Sequence, residues 1–380
     1  MALVLKPLLV PALVVLVLAA CAPLSSGTTP SQSSSGSPAP TARPADSKAA
    51  GLRTQLDLLV GEHTMLVVKQ AVAASNHTDE YSGYLTLLAA NANSVVGVVR
   101  SAYGNGAANQ FAQAWGIQNG YLVDYTIGVV THNDAKSNGA MSGLVNGFAP
   151  QFAQLITSLA QLPVDAMSQL ETAQLADFKA TIDDETAQSY GKLYADVRTA
   201  YAHSSRIGDM LAVRMAQQFP DKFPGDPSSS AVEARVALNE LLQEHSYLTT
   251  MMSDAGIAGR SAEAANALGA VASARADIAP VMGFLLGPDA RAGFPGIWGI
   301  RDANVFAYAN ASDSGAKQKL TGTFVTQFSA LTQVPASSIR DQVIATLKAI
   351  DDQRAKAYKN VAGDDRAAAA AMQSIADQIA

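Results

Sequence analysis

One cysteine, Cys21, occurs in the 380 residues, so no disulfide can close within the chain and no cysteine metal site can be assembled. Stability must come from packing. Charged residues make up 15% and aromatics 6%, and neither sign of charge is gathered into blocks. Lys and Arg number 26 against 32 Asp and Glu, which leaves no basic footprint for DNA or RNA and excludes nucleic acid as an expected partner. Alternating β-branched runs are missing as well. What remains is long stretches rich in Ala, Leu, Val and Gln separated by short polar breaks, the pattern of an all-α chain. Several catalytic templates are also absent: paired Glu-x-x-His on two helices, His-Glu-x-x-His, Gly-x-Ser-x-Gly and a phosphate loop ending in Gly-Lys-Ser/Thr. The segment "GNGAAN" at Gly104 reads as a helix-breaking turn.

The N-terminus has its own character. Lys6 precedes the apolar run "PLLVPALVVLVLAA", long enough for the hydrophobic region of an export signal and short for a membrane span. It ends in Leu18-Ala19-Ala20-Cys21, which resembles the lipobox of bacterial lipoproteins. That resemblance implies cleavage before Cys21, acylation of its thiol, and an exported protein held to a bacterial membrane by lipid. Residues 22–48 are rich in Ser, Thr, Pro and Gly and cannot bury enough apolar surface to order themselves, so they are expected to form a disordered tether with ends on the order of 30 Å apart.

The rest of the chain repeats itself. Leu56, Leu59, Glu62, His63 and Leu66 correspond to Leu238, Leu241, Glu244, His245 and Leu248. Gly104, Phe111, Trp115 and Tyr125 correspond to Gly287, Phe294, Trp298 and Tyr308; Phe148, Phe152 and Pro163 correspond to Phe324, Phe328 and Pro335. The spacing predicts a duplication: two tandem homologous up-and-down helical bundles, 49–225 and 229–380, the second shorter, with a linker near Phe219 to Ser230. In copy 1 the periodicity predicts helices from Ala49 to Ser75, Asp79 to Tyr103, Ala107 to Thr131 and Lys136 to Gln161, a short one after Pro163, and a long last one from Asp184 to Gln218. Phe111, Trp115, Tyr125, Phe148 and Phe152 are expected to mark the shared core.

The combination of "EHTML", "WGIQNGYLVDYT", "AYAHSSRIGDMLA" and "QFPDKF" resembles a group of exported bacterial helical proteins of uncharacterised function, some with tandem units. It covers copy 1 nearly end to end and copy 2 more weakly. That family carries a histidine three residues after the tryptophan. Gln118 and Arg301 stand there in this chain, which puts any site built on that imidazole in doubt.

The repeated Glu-His pair is the main candidate site. His63 and His245 share three-and-four spacing with Leu56, Leu59, Leu66 and their counterparts, so each imidazole is expected to face inward among aliphatic neighbours. Leaving it unpaired would cost roughly 1 to 3 kcal/mol, so a partner on another helix is required. Glu62 and Glu244 lie about 100° round the helix, either pairing with a neighbouring helix or on a solvated face. His203 is the further candidate: if the last helix packs antiparallel to the first, His203 could join His63 and Glu62 in a nitrogen-oxygen set for copper, zinc or iron. Copy 2 places alanines opposite His203, which weighs against it. Met251 and Met252 read as core filling, His77 and His132 as solvated turn residues. The favoured expectation is a lipid-anchored, non-catalytic binding or structural module without a cofactor; the rival is a transition-metal-binding lipoprotein using Glu62, His63 and His203. Neither names the envelope partner or small ligand.

Overall fold

Ser47 opens the first helix by accepting the amide of Ala50 at 3.1 Å, and Ser229 opens its counterpart by accepting the amide of Val232 at 3.4 Å. Each satisfies an otherwise orphaned N-terminal donor. The computed structural model describes residues 44–380; the expected signal, Cys21 and most of the tether lie outside the described residues. Copy 1 runs through α1 (Lys48–Ser75), α2 (Glu80–Tyr103), α3 (Asn105–Val130), α4 (Asp134–Ser142), α5 (Ala149–Ala160), α6 (Val164–Thr186) and α7 (Tyr190–Gln218). Copy 2 repeats the order with α8 (Ser230–Ile257), α9 (Ser261–Leu286), α10 (Pro288–Ala311), α11 (Ser314–Lys319), α12 (Val325–Thr332), α13 (Ala336–Arg354) and α14 (Tyr358–Ile379). No strand occurs among the described residues, so the all-α expectation holds.

Helices α1 and α8 lie at the centre. Both are apolar around most of their circumference and almost wholly buried, as a helix surrounded by others must be. They pack on each other, while α7 also packs on α9 and α14 on α2. The last helix of each copy thus touches the second helix of the other. The apolar clusters follow this exchange: one is built mainly from copy 2 but takes in Met65, Val68 and Val72 of α1 and Leu193, Tyr194, Val197 and Tyr201 of α7. The other is built from copy 1 and takes in Ala362 of α14. The described residues form one compact unit.

Close approach at the centre needs a missing side chain. A Cβ on Gly61 would lie 2.7 Å from the Tyr201 ring, and that ring reaches past α1 so that its hydroxyl shares its one proton between Gln243 Oε1 at 2.8 Å and the Glu240 carbonyl at 3.1 Å on α8. The repeated aromatics form matching stacks, Phe111 with Trp115 at 5.2 Å and Phe294 with Trp298 at 5.0 Å between ring centres. Tyr125 donates to Asp183 and Tyr308 to Asp351, both at 2.6 Å.

The helix reading of copy 1 needs three corrections. The fourth predicted helix is interrupted by a π-helical turn, Gly143–Phe148, which recurs in copy 2 as Leu320–Phe324. The helix after Pro163 is long, reaching Thr186. The single last helix from Asp184 is broken at Gln188, which sits at φ 55°. There the Ser189 amide bonds the Asp184 carbonyl at 2.8 Å and the Gln188 amide bonds Glu185 at 3.0 Å, a Schellman end. Lys356 ends α13 in the same way. His77 and His132 prove to be the left-handed residues of two further such ends, at φ 53° each, and both are exposed. A non-glycine residue in this conformation is strained. Gln188→Gly is therefore expected to raise stability by about 0.5 to 1 kcal/mol in urea unfolding; a loss of stability would show that the side chain has a role of its own.

Candidate functional site

His63 is fully buried. Its Nε2 meets Asn119 Oδ1 at 2.7 Å, and its ring lies 4.9 Å from that of Trp115 and 5.6 Å from that of Phe178. The inward placement is as expected, and the ring is met by Asn119 and Trp115 of α3 and Phe178 of α6. Nε2 must carry the proton, since the amide oxygen only accepts; Nδ1 has no partner within the described residues. Burial pushes the imidazole down to about 4, against a weaker upward pull from the Asn119 bond, so the ring is neutral across physiological pH.

His245 occupies the equivalent place with a different partner set. Trp298 Nε1 donates to its Nε2 at 3.0 Å, and Asp302, at the position of Asn119, lies 3.2 Å from the same nitrogen. One nitrogen cannot accept and donate at once. The indole only donates, so the neutral ring accepts it, and Asp302 is held by Arg275 at 2.7 Å and Arg301 at 3.3 Å. Burial lowers the His245 pKa, opposed by Asp302. The position where the resembled family carries histidine is also internal in both copies: Gln118 donates to Glu171 Oε1 at 3.1 Å, and Arg301 lies 5.2 Å over the Trp298 ring.

The glutamates are buried rather than solvated, and their arginine partners lie in the opposite copy. Glu62 receives Arg366 of α14 through two bonds of 2.7 and 2.8 Å, Tyr247 of α8 at 3.0 Å and Asn91 at 2.8 Å. Glu244 receives Arg198 of α7 at 2.9 and 3.4 Å. Arg198 and Arg366 occupy equivalent positions in α7 and α14. Each first helix therefore holds the last helix of the other copy by the same bidentate pair. Nothing in the sequence pattern singled out these arginines; only their register after Tyr190 and Tyr358 marks them as counterparts. Lys69, also missed, is a buried cation with a single-copy role: its Nζ contacts Asp365 at 2.6 Å and Thr250 at 3.0 Å across the copies.

His203 does not join His63 and Glu62. Its Nδ1 meets Asp177 of α6 at 2.6 Å, whereas the next residue, Ser204, faces α1 through Thr64 at 2.6 Å. Successive helical residues diverge by about 100°, so α7 cannot turn both toward α1. No cluster of three or more His, Cys, Asp or Glu able to hold a metal ion occurs among the described residues.

Two clefts open over the paired ions. One, of about 520 Å³, lies over Glu62 and Arg366 between Leu58 and Gln373. Its counterpart, of about 350 Å³, lies over Glu244 and Arg198 and is lined at the matching places by Glu240 and Ser205. No family model matches the chain, and no curated protein or solved structure does.

Two outcomes follow. Arg366→Ala leaves Glu62 buried without its cation, and a loss of roughly 2 to 4 kcal/mol is expected, below the full value for a sealed pair because the arginine is partly exposed. Denaturant unfolding measures it; a change under about 0.5 kcal/mol would mean that the pair carries no weight. The second concerns pH. Burial raises Glu171 from 4.5 to about 8, so between those values the folded state keeps a proton that the unfolded state releases, and stability falls as pH rises. His63 acts oppositely: its stabilising effect is present above 6.5 and is lost as pH falls toward about 4. The melting temperature is thus expected to rise from pH 8 to 6.5 and, because the two linkages oppose each other between 6.5 and 4.5, to level off below that. Glu171→Gln should flatten the upper limb; an unchanged limb would exclude Glu171 as its source.

Proposed function

We propose that the chain is a lipid-anchored protein of the bacterial cell envelope whose helical body is a non-catalytic binding or structural module. The observation that carries this reading is the N-terminal order of Lys6, an apolar run, Leu18-Ala19-Ala20-Cys21 and a Ser-, Pro- and Gly-rich segment, each part of which has its own role in export, acylation and spacing. The resemblance to exported bacterial helical proteins is in keeping with it. The use made of the repeated Glu-His pairs supports the non-catalytic part: the imidazoles are sealed and neutral, and the carboxylates are bound by arginines, so none is free to move a proton to or from a substrate. Their work is to set the register of helices.

Expression in a bacterial host tests the anchor. The mature protein is expected in the membrane fraction with an N-terminus at an acylated Cys21, read by intact mass and by incorporation of an alkyne-labelled fatty acid. Cys21→Ser should abolish the label. An unlabelled wild-type chain retaining Met1 in the cytosolic fraction would contradict the reading.

A further inference from the structure

The two matching clefts have diverged, and the divergence is concentrated in charged side chains. In the cleft over Glu244 and Arg198, the carboxylate of Glu240 has no cation in contact among the described residues: its Oε1 is shut off from solvent without a partner, and only the Ser205 hydroxyl beside it and the more distant Arg53 favour its charge. Arg206, exposed on the rim, has no partner among the described residues. The other charges there are matched: Arg198 holds Glu244 at 2.9 Å and Asp277 at 2.6 Å, and Asp209 is bound by Arg53.

A neighbouring cleft of about 720 Å³ runs between α7 and α9 and shares Arg198, Ala202 and Arg206 as its wall. No carboxylate lines it. His203 does, but its Nδ1–H donates to Asp177 at 2.6 Å, so Nε2 of the neutral ring only accepts and offers nothing to an anion. Arg206 lines both clefts, so the narrower one carries an unmatched carboxylate and an unmatched guanidinium together.

In the other copy the positions equivalent to Glu240, Arg206 and His203 are held by Leu58, Ser374 and Ala371, and that of the buried Asp57 by Asn239. The same helix packing is thus achieved without any of these charges. Packing does not explain the presence of Glu240, and a buried carboxylate without a cation is costly unless something completes it. Burial and the nearby Asp209 push the Glu240 carboxyl up to about 7, the mark of a group that a cationic neighbour would relieve.

We propose that the narrower cleft binds a small zwitterion carrying a primary amine and a carboxylate, the ammonium seated on Glu240 and the carboxylate on Arg206. The site is assembled from both copies, since α7 supplies the anion seat and α8 the ammonium seat. This rests on the body being a binding module and is independent of the anchor.

The test uses the full mature protein in detergent and a series of straight-chain ω-amino acids from glycine to 6-aminohexanoate, with hexylamine and hexanoate as single-charge controls, followed by calorimetric titration. At least one ω-amino acid is expected to bind saturably, and both controls at least tenfold more weakly. Glu240→Leu and Arg206→Ser, the residues that stand at the equivalent positions of the other copy, should each weaken binding tenfold or more with the helical spectrum and melting temperature retained. Absence of saturable binding across the series, equal binding of either control, or undiminished binding by both folded variants would overturn the proposal. Intact mass of the same preparation reports acylation at Cys21, so failure of the anchor and failure of the site are separate results.

Discussion

The structure depends on a reciprocal ion pair. Glu62 of the first copy grips Arg366 of the second, and Glu244 of the second grips Arg198 of the first. This is the contact logic of an isologous interface, in which one patch meets its own equivalent, here within a single chain. Such pairs add little net stability over apolar residues of the same shape, because removing both charges from water offsets most of their attraction. What they do fix is register: α14 can slide along α1, or α7 along α8, only by leaving a buried carboxylate unpaired. The remaining cross-copy contacts, from the Gly61 and Tyr201 crossing to the Lys69 and Asp365 pair, all require that register.

With the frame fixed, the copies have been free to differ. The His-Asn-Trp nest of copy 1 becomes His-Asp-Trp in copy 2, and the acid carries Arg275 and Arg301 with it. The wall around Glu244 carries Glu240 where the wall around Glu62 has Leu58. Equivalent positions with unlike chemistry separate what folding demands of a site from what it merely permits. By that comparison the imidazoles and the glutamate-arginine pairs belong to the frame.

Much of the frame was legible in the sequence because it rests on local signals. The apolar residues of α1 and α8 recur at three-and-four spacing, and the inward turn of His63 and His245 follows from the same period. The break at Gln188 was not legible, since glutamine in a left-handed Schellman position carries no turn signature. Nor was the burial of Glu62, whose partner Arg366 is 304 residues away and belongs to the other repeat. Periodicity places a residue on a face; it does not say which helix that face meets. His203 shows the same limit: its approach to the bundle was foreseeable, but Ser204 was the residue that turned toward α1.

If the reciprocal pairs and the shared apolar clusters join the two copies as described, neither copy has a complete core without the other. Differential scanning calorimetry of the intact chain is the most direct measurement. A single transition is expected, with calorimetric and van't Hoff enthalpies in agreement. Two resolved transitions, or a calorimetric enthalpy near twice the van't Hoff value, would contradict the account, because each copy would then be folding by itself.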